Sequence, residues 1–91
     1  MKKSLRLHLT GSVQTMFFDN FIKENAERLG IKGFLRKLED GRVEIFIEGD
    51  FDKVSEMTSI CKRGHQHTQI RHVDERQERF QDFKDFKILK I

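Results

Sequence analysis

Three places in this 91-residue chain carry side chains able to do chemistry. His65 and His67 stand two residues apart, so in an extended segment their rings face the same side, with His72 a short way downstream. Imidazole suits zinc, copper or nickel. No acidic or thiol ligand completes the trio at a familiar spacing, so these read as loop histidines and no metal is expected. Cys61 is the single cysteine, which leaves no intrachain disulfide. It falls on the apolar stripe of a helical pattern with no cation-rich neighbourhood to make a thiolate, and reads as a buried, inert thiol. The third place is the loop Gly11-Ser12-Val13-Gln14-Thr15-Met16-Phe17-Phe18-Asp19, which joins an alternating pattern to a helical one.

The elements that position these residues follow from periodicity. Leu5, Leu7 and Leu9 alternate with Arg6, His8 and Thr10, a strand with one wet face; His8 falls on that face and is given no role. Phe18, Phe21, Ile22, Ala26 and Leu29 recur at helical spacing until Gly30 stops the run. A second strand is expected over 31–38. Glu39-Asp40-Gly41 is a hairpin turn, because Asp-Gly suits the positive backbone angles such turns need. Val43, Ile45 and Ile47 alternate with Glu44, Phe46 and Glu48 in a third strand. Val54, Met57, Ile60 and Cys61 mark a second amphipathic helix with Asp50 as its expected N-cap. A fourth strand is expected over 69–74, the charged stretch 75–81 reads ambiguously, and Phe83, Phe86, Ile88 and Ile91 suggest a short final strand. The order β-α-β-β-α-β with an extra C-terminal strand is an α+β, ferredoxin-like sandwich: an antiparallel sheet with two helices on one face.

Bulk properties narrow the class. The length accommodates one domain, 1–91. Apolar residues make up 36%, and the nine Phe, without Trp or Tyr, are the expected core filler. With no Pro in the chain, turns fall to Gly, Asp, Asn and Ser. The net charge of +3 is well mixed, residues 1–60 balancing and the remainder carrying the excess. It reads as a solvated surface without a basic stripe, so nucleic acid is not the expected partner. No signal peptide or membrane-length apolar run is present, and a cytoplasmic location is expected.

The loop Gly11 to Asp19 resembles the acylphosphatase signature Gly-x-Val-Gln-Gly-Val-x-Phe-Arg at Gly11, Val13, Gln14 and Phe18. The block Ala26-Glu27-Arg28-Leu29-Gly30-Ile31-Lys32-Gly33-Phe34-Leu35-Arg36 is similar to the family's Ala-x-x-Leu-Gly-Leu-x-Gly-Trp-Val-Arg. Asp40-Gly41, Val43-Glu44, Glu48-Gly49 and Cys61-Lys62-Arg63-Gly64 continue the likeness over nearly the whole chain.

The resemblance implies hydrolysis of carboxyl-phosphate anhydrides with no cofactor or metal. Backbone N–H groups of the loop would cradle the phosphate, here from Gln14, Thr15, Met16, Phe17 and Phe18. A family arginine would grip it and a family asparagine would position the attacking water. This chain departs at both: the arginine position is Asp19 and the asparagine position is Lys37. A further departure is Thr15 in place of a family glycine, where a backbone angle that only glycine tolerates would be strained. The resemblance also implies that one ring of the Phe17–Phe18 pair lines the cavity while the other enters the core. The expected ligand, if any, is a small anion or an acyl phosphate. Because the family's two positions face one cavity, Asp19 and Lys37 are expected to pair and fill the anion site, leaving hydrolysis impaired or absent. The alternative is a working enzyme with a rearranged site in which Lys37 supplies the charge.

Overall fold

A computed structural model describes residues 1–66 and 68–90. The chain forms β1 (Lys2–Gly11), α1 (Met16–Arg28), β2 (Lys32–Lys37), β3 (Val43–Asp50), α2 (Phe51–Arg63), β4 (Ile70–Gln77) and β5 (Phe86–Leu89). These strands make one sheet in the order β4-β1-β3-β2-β5. Alternation decides which face meets the helices. Leu5, Leu7 and Leu9 of β1 pair with Ile47, Ile45 and Val43 of β3, so all six apolar side chains share one face. Both helices lay their stripes on it: Phe18, Ile22 and Ala26 from α1, and Val54, Met57 and Cys61 from α2, are buried. Full burial of each large side chain contributes about 1.5–3 kcal/mol, which makes this layer the main source of stability.

The expected antiparallel sheet holds for β1–β3, β1–β4 and β2–β3 but not throughout. β5 runs parallel to β2, with Gly33 opposite Phe86 and Leu35 opposite Ile88, so the sheet is mixed. The reason is the path of the chain. β4 lies on one edge and β5 on the other, and residues 78–85 cross between them. This strap starts where the Glu78 N–H donates to the Ser4 carbonyl and ends where the Gly33 N–H donates to the Asp85 carbonyl. Midway it turns at Asp82, whose φ of 61° is a left-handed value that Asp tolerates better than most residues.

The strap covers part of the face opposite the helices. Phe83, expected in the last strand, instead packs edge-on against Phe34 and Phe46, with ring centroids 5.8 and 5.4 Å away. Phe46 is thereby fully buried although it alternates with the helix-facing residues. Beneath the strap lies Glu48, also fully buried. Its carboxylate accepts from Ser4 Oγ at 2.9 Å and from the N–H groups of Gln81 and Phe83 at 2.8 and 2.6 Å. β4 extends to Gln77, beyond the expected limit of 74. Asp50 stands at the N-cap of α2 without a side-chain capping bond, since its carboxylate pairs with Lys2. Ile91 lies outside the described residues.

Candidate functional site

β1 ends in a bulge at Thr10/Gly11 that turns the chain toward α1. Gly11 sits at φ +144°, and a Cβ there would stand 2.0 Å from the Gln69 carbonyl oxygen, so only glycine fits. The loop is then fastened from the other side. Gln14 Nε2 donates to the carbonyls of Leu38 and Arg42, tying the loop to the β2–β3 hairpin at 2.9 and 3.0 Å.

Thr15 does not carry the strain expected of a glycine replacement. It lies at φ −128°, ψ 153°, ordinary extended backbone, and serves as the N-cap of α1. Its Oγ1 accepts from the Phe18 N–H at 3.1 Å. Capping of this kind contributes about 1 kcal/mol. Met16 and Phe17 follow with exposed side chains, and Phe18 enters the core.

Side chains of α1 lean toward its N-terminus, and Asp19 in the first turn points inward onto the sheet. Lys37, at the end of β2, reaches the same place. Its Nζ lies 3.1 Å from Asp19 Oδ2, so the two residues form an ion pair. Asp19 keeps only 10% of its side-chain surface exposed and Lys37 keeps 40%. The other carboxylate oxygen, Oδ1, is buried and has no hydrogen-bond partner.

A cavity of about 310 Å³ opens on this pair, lined by Asp19, Lys37, Ile88, Leu89 and Lys90. The expected aromatic wall is absent from it. Phe17 instead borders a separate surface hollow with Asn20, Phe21, Glu24 and His65, because it points away from the sheet at the start of the helix. The wall comes from β5 and the residue after it, a strand expected from its apolar residues but with no expected place in the site. Only the parallel placement of β5 beside β2 brings Ile88, Leu89 and Lys90 to the end of β2 where Lys37 stands.

The remaining candidates lie elsewhere. His65 packs edge-on against Phe21 at 5.2 Å, and His72 Nε2 lies 3.3 Å from Asp74 Oδ1. His67 lies outside the described residues. Cys61 is buried in the core, and burial pushes its thiol up to about 12.

One cluster was not legible as a unit. On the face opposite the helices, Glu44 gathers Arg6 Nη1 and His8 Nε2, each at 3.0 Å, together with Arg36 Nε. Burial alone would raise the Glu44 pKa; hydrogen bonds from His8, Arg6 and Arg36 outweigh it and hold the carboxyl below its ordinary value. Arg6 also lies over the Phe46 ring, 5.2 Å from its centroid. The signal was available in the pairing: His8 and Arg36 both stand directly opposite Glu44 across the sheet.

Comparison with known proteins agrees with this frame. The sequence model of the acylphosphatase family matches residues 5–88. An acylphosphatase of Rubrobacter xylanophilus is 40% identical over 76 residues, covering 84% of this chain and 69% of that protein. One from Syntrophobacter fumaroxidans is 38% identical over 79 residues, covering 87% and 81%. Among solved structures, acylphosphatase from Bacillus subtilis superposes with a TM-score of 0.90 over 99% of this chain and all of that one, at 24% identity. Full-length HypF contains a similar fold within 12% of its length, at a TM-score of 0.86 and 20% identity.

Proposed function

This chain belongs to the acylphosphatase family, and we propose that it keeps the family's frame while hydrolysing acyl phosphates poorly or not at all. The observation that carries this reading is the Asp19–Lys37 ion pair at 3.1 Å. It occupies the place where the family resemblance implies an arginine and an asparagine. A phosphate entering there meets a carboxylate. Two like charges ~4 Å apart at an effective dielectric near 20 repel by about 4 kcal/mol. The Lys37 ammonium 3.1 Å away offsets part of this repulsion, so the larger loss is the bidentate grip of an arginine. Lys37 offers donors but no acceptor, so it does not hold a water as an amide would. The reading includes a cytoplasmic location, where a lone buried thiol such as Cys61 stays reduced. Among the described residues no helix is long and apolar enough to cross a membrane.

Hydrolysis of benzoyl phosphate tests the proposal. The wild-type chain is expected to remain at background. The double variant Asp19→Arg, Lys37→Asn is expected to turn over, since it restores at both positions the groups that the family resemblance implies. Wild-type turnover well above background that vanishes in Lys37→Ala would overturn the proposal and establish the rearranged, active site instead.

A further inference from the structure

A cavity closed to phosphate still has unmet chemistry. Asp19 is nine-tenths buried, yet its Oδ1 accepts no hydrogen bond. Lys37 spends one of three N–H donors on Asp19 Oδ2 and remains 40% exposed on a long, flexible stem. Lys90 adds a second ammonium, and Ile88 and Leu89 form an aliphatic wall. The space, about 310 Å³, is at the small end of ligand pockets. Its complement is a compact molecule with one cationic donor, one anionic acceptor and a short apolar tail.

We propose that this cavity binds a small aliphatic α-amino acid as its zwitterion. The proposal rests on the reading that Asp19 has excluded phosphate. The α-ammonium donates to Asp19 Oδ1, which it reaches as Lys37 swings aside. Lys37 and Lys90 then take the ligand carboxylate, and the tail lies on Ile88 and Leu89. The two charges of an α-amino acid are separated by a single carbon. Such a short spacing lets one compact ligand meet Asp19 with its ammonium and the displaced Lys37 with its carboxylate, two groups that lie side by side in the cavity. A phosphate would face Asp19 with like charge. A simple alkylamine would leave the lysines without an acceptor, and a fatty acid would leave Oδ1 without a donor, which a buried polar group does not tolerate cheaply.

Leucine is the probe, titrated by calorimetry into the full chain with amide chemical shifts followed by NMR. Saturable binding with a Kd of about 1 mM is expected, with shifts concentrated at residues 19, 37 and 88–90. N-acetyl-leucine and leucine methyl ester each lack one charge and are expected to bind about tenfold more weakly or worse. Asp19→Asn is expected to lose a similar factor while keeping the wild-type circular dichroism. No binding of leucine at ~20 mM, twentyfold above that expected Kd, or equal binding of all three compounds to the wild type, overturns the proposal without reference to any variant. Benzoyl phosphate hydrolysis in the same preparation separates the two readings. Turnover by the wild type would overturn the closed phosphate site, and the present proposal with it. Absent turnover together with absent leucine binding overturns this proposal alone.

Discussion

Replacing Glu48 by Gln changes one atom in a fully buried group and tests whether the strap is held by that carboxylate. Glu48 presents two oxygens to three donors: Oε2 accepts from Ser4 Oγ and the Gln81 N–H, and Oε1 from the Phe83 N–H. Glutamine keeps the volume but has a single acceptor oxygen. The Ser4 hydroxyl can rotate and accept from the new amide. One of the two strap N–H groups then faces an NH₂ with no room for water. A buried donor left unsatisfied costs ~1–3 kcal/mol, and hydrogen bonds to a charged acceptor lose roughly another 1 kcal/mol on neutralisation. We expect a net loss of about 2–3 kcal/mol, a fall in Tm of about 10–20 °C for a chain of this length. Thermal and urea unfolding followed by circular dichroism measure the loss. Amide hydrogen exchange locates it: faster exchange is expected in residues 79–89, with β1 and α2 unchanged in rank. A Tm within about 3 °C of wild type, with β5 still protected, would refute the assignment of Glu48 as the anchor of the strap.

Two further predictions concern titration and reactivity. The folded Glu44 pKa lies below its ordinary value of 4.5, so the unfolded chain binds the proton first and the stability contributed by Glu44 is complete above about 4.5. It is lost as pH falls from there through the folded pKa, and Glu44→Gln is expected to flatten the acid limb of a Tm-against-pH curve. Cys61, with its thiol at about 12 and no exposed surface, is expected to resist a thiol-reactive chromophore at neutral pH in the native state and to label fully in denaturant; fast labelling of folded protein would contradict its burial.

Sequence patterns were readable where an element has one wet face and one dry one. β1, α1, β2 and α2 meet that condition, and their apolar stripes coincide with the buried residues. β4 does not. It is an edge strand with a single neighbour, and its charged residues occupy both faces, so alternation fades after Val73. Charge on an edge strand discourages pairing with another chain, which explains the composition that hid the strand's last residues, 75–77. Phe46 and Glu48 were misleading for a different reason. They alternate as wet-face residues should, but the strap covers them, and nothing local signals a segment that arrives from more than thirty positions downstream. The ion pair at the site was legible because Asp19 and Lys37 carry opposite charges at two positions that the family resemblance sets against one cavity. Its wall of Ile88, Leu89 and Lys90 was not, because it depends on which edge of the sheet β5 joins.

The strand order also governs how the chain assembles in time. Among the described residues only β2 and β3 pair through a short connection; Leu5 must meet both Ile47 and Gln77, and Gly33 must meet Phe86. Each such pairing closes a long loop before its contacts form, which is expected to make folding slower than in a helical bundle of this length. β5 needs β2 already seated against β3, and the strap needs Glu48 already in place. The cavity wall is therefore expected to dock last on the way in and leave first on the way out, which pulsed hydrogen exchange at residues 86–89 would check. On that order the site would open to solvent while the helices still cover their face of the sheet, and a ligand bound there would slow unfolding more than it speeds folding.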